Sequence, residues 1–331
     1  MLTALIFIAL IAILIIGHEF GHFIVAKLFK LRVDEFAFGF PPKIFAKKVG
    51  ETTYSVNAVP LGGFVKIYGE SAEAGEGDKE RSFYHQKAWK RSAVLVAGVF
   101  MNFLIGWFAF SAIFMAGVPH KLYIDRVAPN SPAAEAGLMA GDELIGFNST
   151  DEFISFINNN AGEEITINDK TLVPRLDPPE EEGRLGVSIV DTYIERMNLF
   201  KALGAGFMAA VGFLGDILSG LGNILVQLFT GGDVGKMVSG PVGIFNIVGE
   251  QASHGFMRVV QLTGILSLNL AVFNLLPIPA LDGGRLLFIG LEKVFRRRFN
   301  PKYENMANLI GFALLMLLVL VVTISDIFKI I

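Results

Sequence analysis

His18-Glu19-Phe20-Gly21-His22 is the stretch of this chain with the most obvious capacity for chemistry. On a helix, residues four apart share a face, so both imidazoles can reach one zinc ion. Glu19 is then placed to polarise a water on that ion, whose pKa the metal lowers. The chain has no cysteine, so any metal must be held by His, Asp, Glu or water. All three ionisable residues close an apolar run, where such groups are costly and usually functional. The competing reading is a pair of core histidines around a salt-bridged glutamate.

Two histidines leave a ligand missing. His120 is expected on the outer side, and His85 and His254 sit in no metal-like cluster. Asp282, in Leu281-Asp282-Gly283-Gly284, is the only carboxylate between Val259 and Gly290. Carboxylate is a normal third zinc ligand, although an Asp before Gly-Gly also suits a plain turn or helix end.

The elements that must position these residues are membrane helices. The 331 residues are 53% apolar and 18% charged, with a mean hydropathy of +0.55, whereas an ordinary soluble domain has about 25% charged residues. Four stretches are long enough to span hydrocarbon: Leu2 to about Val25, Ala93–Val118, a stretch within Val259–Ile289 interrupted by Pro277 and Pro279, and about Leu309–Ile324. The first basic residue is Lys27, after the first apolar run, so that run is read as a retained helix and not as a signal peptide. Leu199–Phe229 carries six glycines and Asp216 and is read as one or two membrane-surface or bundle-packed helices, with a fifth span as the alternative. The net charge of −3 gives no field that points to nucleic acid.

Charge orients the spans. Seventeen of the 28 Lys and Arg residues lie in residues 27–91 and 293–302, two loops that four spans put on one side. The positive-inside rule makes that side cytoplasmic and places the N-terminus, residues 119–200 and the C-terminus outside. The chain therefore divides into 1–118, two spans with a β element at 33–70; 119–190, an α+β domain; 191–258, surface helices; and 259–331, two further spans. The β element is read from TTYSVNAV and GGFVKIYG, with turn signals at Pro41-Pro42, Gly50 and Gly62-Gly63. Residues 69–81 read as a flexible loop. The 119–190 region shows strand-like LYIDRVA, DELIGFN, EEITIND and RLGVSIV around helices after Ser131-Pro132 and near Asp151–Asn159.

HEFGH, PLGGFVKIYGE at 60–70, SGPVGI at 239–244 and NLLPIPALDGGR at 274–285 arrive in one order. Together they resemble the site-2 protease family, and within it the bacterial PDZ-containing regulated intramembrane proteases. The resemblance covers nearly the whole chain. It implies a polytopic α-helical membrane protein with four transmembrane helices, a membrane-associated β element and an inserted PDZ domain. It implies that His18, His22 and Asp282 bind zinc, that Glu19 is the catalytic acid and base, and that the 33–70 element holds substrate in extended form. Gly62 and Gly63 of that element join Asn274 as substrate-binding residues. Asn274 matches a family position implicated in substrate or oxyanion contact, an interhelical hydrogen bond being the other reading, and Asn102 reads as a packing contact. The chain departs from its relatives at Gly39-Phe40-Pro41-Pro42, where many have Gly-x-Gly, and at Ala97-Gly98-Val99, where they often have Ala-Gly-Pro.

SPAAEAGLMAGDELIGFN at 131–148 resembles a PDZ domain, able to bind an extended peptide at a sheet edge or to act only as a size filter. The implied partners are the lipid bilayer of a bacterial inner membrane and pre-trimmed single-span membrane proteins, either anti-sigma factors or remnant signal peptides. The alternative is a non-catalytic PDZ scaffold with a structural metal. That alternative needs a fourth protein ligand, and none is evident.

Overall fold

In the computed structural model, residues 2–70, 78–179, 182–231, 240–297, 299 and 301–330 are described. The loop read at 69–81 falls mostly outside them, as does Ser239 of SGPVGI. In chain order the elements are α1 (Leu2–Leu28), β1 (Val33–Val49), β2 (Thr52–Ile67), α2 (Ala88–Ala116), β3 (Leu122–Val127), α3 (Pro132–Glu135), α4 (Thr150–Asn159), β4 (Ile165–Ile167), β5 (Lys170–Leu172), β6 (Val187–Asp191), α5 (Leu199–Thr230), α6 (Pro241–Ser253), α7 (Phe256–Leu275), α8 (Asp282–Phe295) and α9 (Pro301–Ile330). They form two compact units, residues 1–111 with 203–331, and residues 112–202.

Among the described residues, five helices are long and apolar enough to cross a membrane: α1, α2, α5, α7 and α9. Four correspond to the expected spans. The fifth, α5, is a single 32-residue helix, where the sequence reading allowed two. Its six glycines do not break it, because apolar neighbours at helical spacing carry it through.

Small residues set how closely the first-unit helices approach. A Cβ on Gly21 of α1 would lie 2.3 Å from the carbonyl oxygen of Ala97 on α2, and one on Gly17 would lie 2.4 Å from Ile105. Gly106 of α2 meets Leu268 of α7 in the same way. Without a hydrophobic drive between helices in lipid, such close contact is what holds them together. α2 therefore runs antiparallel to α1, and α7 antiparallel to α2.

β1 and β2 are long strands that fold back on themselves. Ala37 pairs with both Phe64 and Ser55, and Phe45 pairs with Val56. Four arms thus lie side by side in the order 63–67, 33–38, 52–57 and 43–49. β1 turns at Gly39, whose φ is +83°, and a Cβ there would stand 2.8 Å from the Val59 carbonyl oxygen. That conformation is open to glycine and strained for other residues. Val33, Val65 and Ile67 are buried against Ala26, Val94 and Leu95, which docks the first two arms on the end of α1 and the start of α2. Arm 43–49 is exposed along its length.

The second unit is a small α+β body. β3 pairs antiparallel with β6, and β4 with β5. Ser131 caps α3 by accepting a hydrogen bond from the Ala134 amide, with Pro132 in the first turn. Ser149 caps α4 similarly. DELIGFN forms no strand beyond one bridge at Glu143, although Leu144 donates to the Leu122 carbonyl. Leu122, Ile124, Leu144, Phe153 and Ile157 make the core.

Candidate metal centre

The motif on α1 presents both imidazoles to the same side. The Nε2 atoms of His18 and His22 are 3.1 Å apart. Asp282 Oδ2 lies 3.1 Å from the first and 3.3 Å from the second. Three ligand atoms of the kind zinc takes therefore form a nearly equilateral triangle. Tetrahedral zinc with bonds of about 2.0–2.1 Å needs ligand atoms about 3.3–3.4 Å apart. Asp282 Oδ2 is buried and has no hydrogen-bond partner among the described residues. A buried carboxylate oxygen facing two ring nitrogens without a donor is what a cation would satisfy. Among the described residues this is the one group of three His, Asp or Glu side chains with that geometry.

Each ring is oriented through its other nitrogen. His22 Nδ1 donates to the Val94 carbonyl oxygen at 2.8 Å, which leaves Nε2 with a free lone pair. His18 Nδ1 lies 3.2 Å from the side-chain amide of the fully buried Asn102, whose Oδ1 otherwise has no partner. With Oδ1 turned towards the ring it accepts from Nδ1–H, and His18 Nε2 is freed as well. Asn102 is thus not the packing contact the sequence suggested. Gly98, one turn before it, is equally constrained: a Cβ there would stand 2.5 Å from His22 Cε1 and Nε2 and 2.8 Å from His18 Cε1. The signal for both lay in AGVFMN, where a glycine and a buried-type amide stand four apart on one face of an apolar helix.

Asp282 arrives through a broken helix. Pro277 has no N–H to continue α7, which ends at Leu275. The chain turns through Pro277-Ile278-Pro279, and Ala280 sits at φ +79° with its N–H donated to Asn308 Oδ1 at 3.1 Å. α8 then begins at Asp282. Cβ atoms on Gly283 and Gly284 would lie 2.2 and 2.3 Å from the carbonyl oxygens of Leu275 and Ile278. The glycine pair lets α8 start directly against the turn and holds Asp282 where it meets α1.

A cavity of about 840 Å³ opens over the triangle, lined by His18, Glu19, His22, Gly62, Gly63, Asn274 and Asp282 among others. The residues expected as zinc ligands, as the acid and base and as substrate contacts therefore line one space. Asn274 Nδ2 is 3.5 Å from His18 Nε2. Gly63 packs on Ile15, and a Cβ on it would be 3.4 Å from Glu19 Cγ; Gly62 lies against the Phe40 ring. Among the described residues the arm 63–67 has a strand partner on one side only, and it lines the cavity. Arg285 on α8 forms an ion pair with Glu70, which also accepts from the Ile67 amide. The sequence reading missed this link. His85 pairs with Ser82 and, in the second unit, His120 pairs with Asp191; neither belongs to the triangle.

The model of peptidase family M50 matches residues 6–318. A Clostridium acetobutylicum protein named as a proposed zinc metalloprotease is 35% identical, covering 95% of this chain and 94% of its own. One from Clostridium perfringens, similarly named, is 37% identical over 95% of each. The zinc metalloprotease RasP of Oceanobacillus iheyensis is 29% identical over 99% of each.

Proposed function

This chain belongs to peptidase family M50, the site-2 proteases, and on that footing we propose that it hydrolyses peptide bonds in or beside the transmembrane segment of single-span membrane proteins already trimmed outside. It is a membrane protein and a zinc metalloprotease. In the proposed site His18, His22 and Asp282 hold the zinc. The ion supplies Lewis-acid polarisation of the scissile carbonyl and a lowered pKa for the attacking water. Glu19 takes the proton from that water and returns it to the departing amine nitrogen. The Asn274 amide donates to the oxygen on which negative charge develops.

Substrate is held by the free edge of arm 63–67. An extended segment added there exchanges main-chain hydrogen bonds with the arm and lies past Glu19, with Gly62 and Gly63 giving its backbone room. A helix hides its carbonyls, so helix-breaking residues in the substrate speed cleavage. The second unit is read as a PDZ domain on the extracytoplasmic side of a bacterial inner membrane. It acts as a filter that admits trimmed chains such as anti-sigma factors or remnant signal peptides. The basic loops at 27–91 and 293–302 support that orientation, with the active site towards the cytoplasm.

The orphaned Asp282 oxygen facing two Nε2 atoms carries this reading. The test uses the purified full chain in detergent with a single-span model substrate. Glu19→Gln is expected to keep one zinc per chain by elemental mass spectrometry and to lose cleavage by at least a hundredfold. Cleavage at the normal rate by that variant would sink the proposal.

A further inference from the structure

Beside the end of α1 and the start of α2 lies a second cavity, of about 950 Å³, which shares no lining residue with the one over the triangle. That volume falls in the roughly 300–1,000 Å³ range of small-ligand sites. Its walls carry five cations, Lys30, Lys79, Arg81, Lys87 and Lys90, against one carboxylate, Glu80. Arg81 is taken up by Glu51. Among the described residues the four lysines have no such partner. A concavity lined by one sign of charge focuses its field and concentrates ions of the opposite sign.

Aromatic rings complete the wall. Phe29 and Trp89 meet edge to face with centroids 5.3 Å apart. Lys90 Nζ stands 5.6 Å from the first ring and 6.0 Å from the second. Trp89 is nevertheless 59% exposed. An open indole is at home where acyl chains give way to headgroups, since one edge is apolar and the other carries an N–H donor.

Helix length puts the cavity at that depth. α1 has 27 residues and α2 has 29. At about 1.5 Å per residue each is about 40 Å long, roughly 10 Å more than the hydrocarbon it crosses. The charged ends at 27–30 and 87–91 therefore stand among headgroups. Ala26, Val94 and Leu95 share one core, so the two ends are side by side.

Orientation in the membrane asks only for a surplus of cations on one side. Lys47 and Lys48, on the exposed arm 43–49, serve that count without lining the cavity. Gathering four lysines around a hollow beside an open indole asks for an anionic occupant with an apolar tail.

We propose that this cavity holds the phosphate headgroup of an anionic phospholipid from the leaflet in which α1 ends and α2 begins. Lys30, Lys87 and Lys90 meet the phosphate, and Trp89 and Phe29 lie along the glycerol and the first acyl carbons. The lipid then bridges the residues that follow α1 to the first turn of α2. His22 on α1 takes its orientation from the Val94 carbonyl on α2, so the bridge clamps the two helices that set that ring. The proposal goes beyond the proteolytic reading and does not depend on it, since its test measures no cleavage.

The test uses the purified full chain in a non-ionic detergent, titrated with dioleoyl phosphatidylglycerol or dioleoyl phosphatidylcholine and read by native mass spectrometry. The wild type is expected to hold the phosphatidylglycerol roughly tenfold or more tightly than the phosphatidylcholine. K30Q/K87Q/K90Q is expected to lose that preference and K30R/K87R/K90R to keep it. K47Q/K48Q, which removes two cations outside the cavity, is expected to match the wild type. If gel filtration shows the triple glutamine variant to be misfolded, K87Q at an exposed position carries the comparison, with a several-fold loss expected. Equal affinity of the wild type for the two lipids would overturn the proposal, as would an undiminished preference in the glutamine variants. An equal loss in K47Q/K48Q would overturn it by showing that loop charge, and not the cavity, is what the lipid reads. Displacement of the lipid by inorganic phosphate would assign the cavity to a free anion and overturn it too.

Discussion

Asn102 and Gly98 never touch substrate in the proposed reaction, yet they decide whether the imidazoles can hold an ion. Outer hydrogen bonds of this kind set ring tautomer and ligand basicity, and their loss typically weakens metal affinity about 10–100-fold. Asn102→Ala is expected to lower zinc affinity by that factor in a chelator competition, and Asn102→Asp, which still accepts from Nδ1–H, to restore most of it. An Asp variant as weak as the Ala variant would show that packing, not the acceptor, matters at this position. Gly98→Ala puts a methyl group 2.5 Å from the His22 ring. It is expected to leave well under one zinc per purified chain. At this scale the sequence was legible where chemistry has a spacing, as in HEFGH. It was silent where chemistry depends on a partner 84 residues away, as His18 depends on Asn102.

Elements position the site through three joints, and each has its own chemistry. The break between α7 and α8 was readable from Pro277, Pro279 and Gly283-Gly284, because those residues have few conformations to choose from. The clamp between Arg285 and Glu70 was not, since charged pairs between distant segments leave no periodic trace. It ties the helix carrying Asp282 to the end of arm 63–67. Arg285→Gln is therefore expected to raise KM for a membrane substrate at least tenfold with zinc content unchanged, and reversing the pair as E70R/R285E to recover part of that loss. The third joint is the turn between β1 and β2, where Glu51 is held down to about 2 by hydrogen bonds from Arg81 and then Lys27. A carboxylate with a lowered pKa stabilises the fold above its ordinary value of 4.5 and loses that contribution as pH falls towards about 2. The difference in thermal midpoint between wild type and Glu51→Gln should accordingly shrink across that window. A difference that stays constant with pH would mean the ion pairs contribute nothing.

For the whole molecule, the proposed ligands make the metal a fastener between the first helix and the penultimate one. Binding to the folded state alone stabilises by about 2.7 kcal/mol at a free zinc concentration about one hundred times its Kd. Stripping zinc with a chelator should lower the thermal midpoint of the wild type and leave that of Asp282→Ala unmoved, with zinc alone restoring the former. Four of the five long apolar helices were legible from hydropathy. Leu199–Phe229 stayed open between a surface helix and a fifth span, because a helix lying on a membrane and one crossing it can have similar average composition.

The distance along the chain between His22 and Asp282 also sets a clock. At about 5–20 residues per second of synthesis, the aspartate leaves the ribosome about 13–50 s after the histidines. Throughout that interval the proposed ligand set is incomplete. With the proposed ligands the nascent enzyme is born inert, and it gains the power to cut its neighbours only after four of its five long apolar helices have been made.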